Sequence, residues 1–143
     1  MNRLIFTGML CGLSVIALGC GGPEYSGDKR FPVSGTVTVD GEPMEYGTIS
    51  FLPVSQEQDR VSGGIIVAGK YEMPEGRGAN AGEYRVEIRW QKPTGKKIQD
   101  IDTEEMIDER AEGLPARYHE NSELTASVSA EKYTFDFDLT SAE

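Results

Sequence analysis

Few side chains in this sequence have the types and spacing that do chemistry. His119 is the only histidine. A Ser-His-Asp site needs that imidazole beside an activated serine, and the chain has no Gly-x-Ser-x-Gly turn to present one. A catalytic zinc usually takes two or more His or Cys ligands. The cysteines are Cys11 and Cys20, both near the N-terminus, so His119 reads as a loop histidine without a catalytic role. Asp136 and Asp138 lie two apart and share a strand face. Paired carboxylates do acid–base work when their environments differ, but on an amphipathic strand they form its wet side. Asp100-Ile101-Asp102-Thr103-Glu104 begins like a calcium loop. An EF-hand needs Gly at the sixth position and a bidentate Glu at the twelfth. Glu105 and Ala111 stand there instead, which leaves only a loose set of loop carboxylates for calcium.

Cys20 has a different chemistry. It ends an apolar run over residues 4–18, preceded by Arg3 and followed by Gly21-Gly22-Pro23. A charged start, a short apolar stretch and a small residue at the cut make a secretory signal. A membrane span needs about 20 apolar residues. The segment Ala17-Leu18-Gly19-Cys20 resembles a lipobox, the signal of bacterial lipoproteins. Where that family prefers Leu three residues before the Cys, this chain has Ala17. The resemblance implies cleavage before Cys20, a diacylglycerol on its thiol and usually an acyl group on its new amine. Cys11 would leave with the signal, so the mature chain would have no disulfide and its stability would come from packing.

Removal of residues 1–19 from 143 leaves 124 residues, one domain of ordinary size. With Arg3 gone, 13 basic side chains face 24 acidic ones, a net charge of −11. Such a chain lacks the clustered Lys and Arg that nucleic acid requires. Charge also works against anionic head groups, so the lipid must do the anchoring. One acyl chain binds only marginally, at about 0.8 kcal/mol per buried CH₂, and stable attachment takes two or three. Residues 20–31 are rich in Gly, with Ser and Pro and no apolar period, and read as a flexible tether.

The remainder is period-two sequence. Val33, Val37 and Val39 alternate with Ser34, Thr36 and Thr38 until Asp40-Gly41 turns the chain. Residues 48–52, 61–67 and 69–73 read as further strands, with Gly63-Gly64 as a bulge or bend. In residues 83–90, Tyr84, Val86, Ile88 and Trp90 oppose Glu83, Arg85, Glu87 and Arg89, the pattern of a half-solvated antiparallel strand. Residues 124–128 alternate too, and so do 133–139, where Tyr133, Phe135 and Phe137 fall inward. Seven such strands with Gly/Pro punctuation predict an all-β fold, a β-sandwich. An insertion over residues 91–122 breaks the pattern. Asp102 and Glu105 have capping-box spacing, which predicts a helix of two or three turns over residues 103–111, ended by Gly113 and Pro115. A connection of this length is functional or disordered. It reads either as a contact surface or as a solvated cover for the sandwich edge.

Several phrases resemble one family. Residues 32–44 are similar to the first hairpin of carboxypeptidase regulatory-like domains, and Gly47-Thr48-Ile49-Ser50-Phe51 to their second strand. Gly69-Lys70-Tyr71 and Gly82-Glu83-Tyr84 match their two Gly-x-Tyr strand starts. Leu114-Pro115-Ala116-Arg117-Tyr118 and Ser122-Glu123-Leu124-Thr125 resemble the tail of short lipoproteins abundant in planctomycete bacteria. The resemblance covers about residues 31–140. It implies a seven-stranded Ig-like/transthyretin-like β-sandwich over 32–140, with one long, partly helical insertion, behind a lipoprotein signal peptide. It implies an exported accessory module and no peptidase, because a zinc peptidase domain has neither length nor ligands here. The expected protein is therefore non-enzymatic, without cofactor or metal, and held to the cell envelope through Cys20. Gly21 stands where some bacteria place a retention Asp, which points to the outer membrane or the periplasmic face. The expected role is structural or contact with an envelope protein partner. The alternative is a binding module that takes a small ligand, a glycan or calcium through the insertion.

Overall fold

The computed structural model describes residues 28–55 and 60–142. The expected signal at 1–19, the lipidation position Cys20 and tether positions 20–27 lie outside the described residues. The fold is all-β. Among the described residues no helix is long and apolar enough to cross a membrane.

Alternating side chains decide each strand. β1 (Arg30–Phe31) leads into β2 (Val33–Val39), where Val33, Val37 and Val39 are buried and Thr36 faces water. Asp40 and Gly41, at φ 54° and 86°, form the expected turn into β3 (Glu42–Pro43). β4 (Tyr46–Pro53) buries Ile49 and Phe51, β5 (Ser62–Val67) buries Ile66, and β6 (Lys70–Met73) buries Tyr71 and Met73. β7 (Ala79–Asn80) pairs with β1. β8 (Gly82–Gln99) buries Tyr84, Val86 and Ile88 and turns its charged residues away from them. β9 (Met106–Glu112), β10 (Thr125–Val128) and β11 (Phe137–Leu139) follow.

Seven strands form one hydrogen-bonded path, β10-β8-β4-β5-β6-β2-β11, with β3 added on β2 and β9 on β8, while β1 and β7 pair apart from it. The thinnest ladder of the path is β5–β6, with the single pair Val67 opposite Lys70. In a flat sheet β4 and β11 would stand about 19 Å apart, four steps of ~4.8 Å. Yet the Phe51 ring on β4 lies 6.1 Å from that of Phe135, two residues before the start of β11. The sheet therefore curls until its apolar face closes on itself. Phe51 also meets Tyr84 at 6.1 Å and Tyr71 at 6.3 Å.

β11 lies parallel to β2, with Phe137 opposite Val37 and Leu139 opposite Val39. Just before it, the Phe135 carbonyl presses against Gly35, where any Cβ would overlap it. The Tyr71 hydroxyl donates to that carbonyl at 2.7 Å. Burial, reinforced by the nearby Asp136 carboxylate, pushes the Tyr71 phenol above its ordinary pKa, so it remains a donor.

Several expectations need correction. No helix forms over residues 103–111. Residues 106–112 form β9, antiparallel to a β8 that runs nine residues past Trp90. The hydrogen-bonding carboxylate is Asp100, not Asp102. Its Oδ1 accepts from the Asp102 and Thr103 amides and from the Thr103 hydroxyl, at 3.0, 2.9 and 3.0 Å. Glu104 stands at φ 59°, so the chain reverses where a helix was expected to start. The insertion is not partly helical except for one 3₁₀ turn at Ala116–Tyr118. Gly63 and Gly64 pair with Ser50 and Ile49 in unbroken register, without a bulge. Tyr133 is 40% exposed and does not fill the core. Ahead of β11 that segment meets β2 at an isolated bridge, Ser34 to Thr134, where the Ser34 amide donates to the Tyr133 carbonyl at 3.2 Å and the Phe135 amide to the Ser34 carbonyl at 2.9 Å.

Tyr71→Phe strands a buried carbonyl and is expected to lower stability by about 1–3 kcal/mol in urea denaturation. Gly35→Ala is expected to cost more, because backbone must move. Unchanged midpoints in both variants would contradict this packing.

Candidate functional site

The first half of β8 is held between β4 and β10. The second half, from Gln91, pairs with β9 alone and carries exposed residues on both faces. Nine residues at ~3.3 Å each make an arm about 30 Å long. It is the feature of this chain that core formation does not require.

Packing at its base fixes the arm to the body. Glu112 Oε1 accepts from the Trp90 and Leu114 amides, both at 3.0 Å. Its other oxygen lies 3.8 Å from Arg89. Arg110 donates to the Gln91 carbonyl at 2.9 Å and holds its guanidinium 5.5 Å over the Tyr46 ring. Lys92 Nζ sits 5.0 Å over Trp90. Gly113 lies flat on the indole, leaving no room for a Cβ.

Along the arm, Pro93 opposes Arg110, the register then shifts, and Lys97 opposes Asp108. Gly95, at φ 80°, makes the shift, and Thr94 bridges it by donating to Glu109 at 2.6 Å. Lys97 and Asp108 form an ion pair at 2.8 Å. Ile98 then opposes Ile107, and Gln99 opposes Met106. Ile98, Ile101, Met106 and Ile107 are 43%, 96%, 61% and 40% exposed. The tip is therefore apolar on both faces, and its turn is tied by Asp100.

The residues singled out in the sequence do not converge. His119 is buried in the return from the arm, with Nε2 3.1 Å from the Leu114 carbonyl and Nδ1 without a hydrogen-bond partner. Ser122, also buried, donates its hydroxyl to the Val86 carbonyl, not to His119. Asp136 Oδ1 accepts from the Thr36 amide and hydroxyl at 2.8 Å, and Asp138 accepts from Thr38 at 2.6 Å. These carboxylates hold β11 to β2, so they are more than a wet face. Among the described residues no group of three or more His, Cys, Asp or Glu side chains is placed to hold a metal ion.

One feature escaped sequence reasoning. A groove of about 520 Å³ runs over the outer face of β2, β6 and β5, with Ile65 and Val67 exposed in it beside Lys70, Glu72, Thr134 and Asp136. The run Ile65-Ile66-Val67 signals it, because three consecutive apolar residues on a strand must put at least one outside. No protein-family model, curated protein or solved structure matches the chain.

Hydrogen bonds from the Thr103 amide, the Thr103 hydroxyl and the Asp102 amide hold the Asp100 carboxyl below its ordinary pKa of 3.8. Its folded form binds a proton less readily than the unfolded chain, so its support of the turn is complete above 3.8 and is lost as pH falls through its lowered value. NMR titration is expected to show the Thr103 amide proton moving together with Asp100 in that acid range. An Asp100 carboxyl titrating at or above its ordinary value would contradict the turn.

Proposed function

We propose that this chain is a non-enzymatic, lipid-anchored module of the bacterial cell envelope that works by contact with another protein, through the arm. In this reading a signal peptide is removed before Cys20, acyl chains on Cys20 hold the protein to the outer membrane or the periplasmic face, and a flexible tether carries the folded part. The curled sheet is read as a seven-stranded Ig-like/transthyretin-like β-sandwich, in line with the resemblance to carboxypeptidase regulatory-like domains.

One observation carries the contact role: half of an 18-residue strand leaves the body and ends in exposed isoleucines. A two-stranded ribbon is marginal by itself in water. This one is clamped at its base by Glu112, Arg110 and Lys92, which costs side-chain freedom that a mere spacer would not need. Pre-organised projections of this kind lose little entropy on binding. The alternative, a small-ligand module working through the insertion, has less support: the 520 Å³ groove lies on the β2, β5 and β6 face and not on the arm.

Two variants test the reading separately. Cys20→Ala is expected to leave the membrane fraction, and its persistence there would overturn the anchor. Replacement of residues 93–110 by a short Gly-containing turn is expected to keep the fold and the membrane location and to abolish protein cross-links in intact cells. Unchanged cross-links would overturn the contact role of the arm.

A further inference from the structure

We propose that the arm tip inserts into an apolar pocket rimmed by lysine or arginine side chains on another envelope protein. This rests on the contact role proposed above and names the chemistry of the partner.

The tip carries two kinds of group. Ile98 with Ile107 on one face and Met106 on the other make it apolar on both sides, with Ile101 at the apex almost wholly in water. A two-sided apolar tip loses all its exposed area only inside a pocket, since a flat surface covers one side. Around it stand Asp102, Glu104 and Glu105, none of which is ion-paired among the described residues. Asp108 and Glu112, nearer the body, already have cations, Lys97 and Arg89. Among the described residues Glu109 and Asp100 have no cation either, but they accept hydrogen bonds from Thr94 and from the turn, so the arm's carboxylates with neither kind of partner lie at the end that projects furthest.

Charge then selects the occupant. An anionic bilayer repels three unpaired carboxylates set around the isoleucines. A second copy of this chain repels them on balance: without residues 1–19 its net charge is −11, and its own exposed apolar groove sets Glu72 and Asp136 against the single Lys70. A basic rim attracts them, steers the approach and excludes partners of like charge. The Asp100 hydrogen bonds set the turn before contact, so the apex isoleucine is a pre-formed apolar anchor that loses little freedom on insertion.

The test uses the full lipidated chain in its producing cells, with a photo-cross-linking amino acid at position 101 or, separately, at position 67 in the groove. Position 101 is expected to capture a protein at a segment where apolar residues adjoin lysine or arginine. Binding of that purified protein is expected to weaken at least ~10-fold with Ile101→Asp, and by a similar factor between about 50 and about 300 mM NaCl. Ile101 is 96% exposed, so its replacement leaves the fold intact, as circular dichroism would verify. Asp102→Asn with Glu104→Gln and Glu105→Gln is expected to remove most of the salt dependence. Cross-links to lipid, to a second copy or to an acidic segment would overturn the inference, and so would binding indifferent to salt. Capture from position 67 but not from 101 would sink the tip and the arm's contact role together and move the contact to the groove, whereas capture from 101 of a protein whose binding ignores salt would sink the tip's charge selection and leave the arm's contact role standing. Capture from neither would sink both.

Discussion

The Phe51 ring touches aromatic rings from β6, β8 and the segment before β11. That contact depends on the sheet curling, and the remaining structure depends on the contact. A single extended hairpin would leave the apolar faces of Val37, Ile49, Ile66 and Val86 in water. Closing them together removes that area from solvent at about 25 cal/mol per Å². The closed body holds the first half of β8 between two neighbours in fixed register, with Ile49 opposite Ile88 and Ala126 opposite Tyr84. Its continuation beyond Trp90 inherits a fixed direction. The core thus sets the direction of the arm at its base.

Closure also needs the C-terminal segment to lie parallel to β2, where the evenly spaced pairing is slightly weaker than in antiparallel strands. Side chains supplement it. Thr36 meets Asp136, Thr38 meets Asp138, and Asp40 accepts from the Ser141 amide and hydroxyl. The Ser141 hydrogen bonds hold the Asp40 carboxyl below its ordinary pKa, as Thr103 does for Asp100. Three Asp residues therefore work as structural acceptors: Asp40 just after β2, Asp136 just before β11 and Asp138 on β11.

The strands that build the core were readable wherever one face is dry. β2, β4, β6, β8 and β10 alternate in burial as their sequences alternate in polarity. Reading failed where neither face is dry. Residues 91–112 bury almost nothing, so no apolar period marks them as strand, and Met106–Glu112 is rich in good helix formers. Backbone pairing with the extended β8 overrides that propensity. The one local clue was Asp100 three residues before Thr103, a pair suited to closing a turn. Tyr133 was misplaced for a related reason. The alternation that puts Phe135 and Phe137 inside runs back to Tyr133, but that residue lies just before the isolated Thr134 bridge at the edge of the sheet, where its ring stays 40% exposed. His119 lay in a stretch without periodicity, and its burial under Leu114 follows from the path of the return segment, which a local pattern does not encode.

β8 is one strand whose second half, paired to β9, forms the projecting arm. Cross-strand NMR contacts check this pairing: nuclear Overhauser effects are expected to join Ile98 to Ile107 and Lys97 to Asp108 across the ribbon, with extended-chain couplings from residue 106 to residue 112. Sequential amide–amide and i to i+3 contacts over residues 103–111, the signature of a helix, would contradict it.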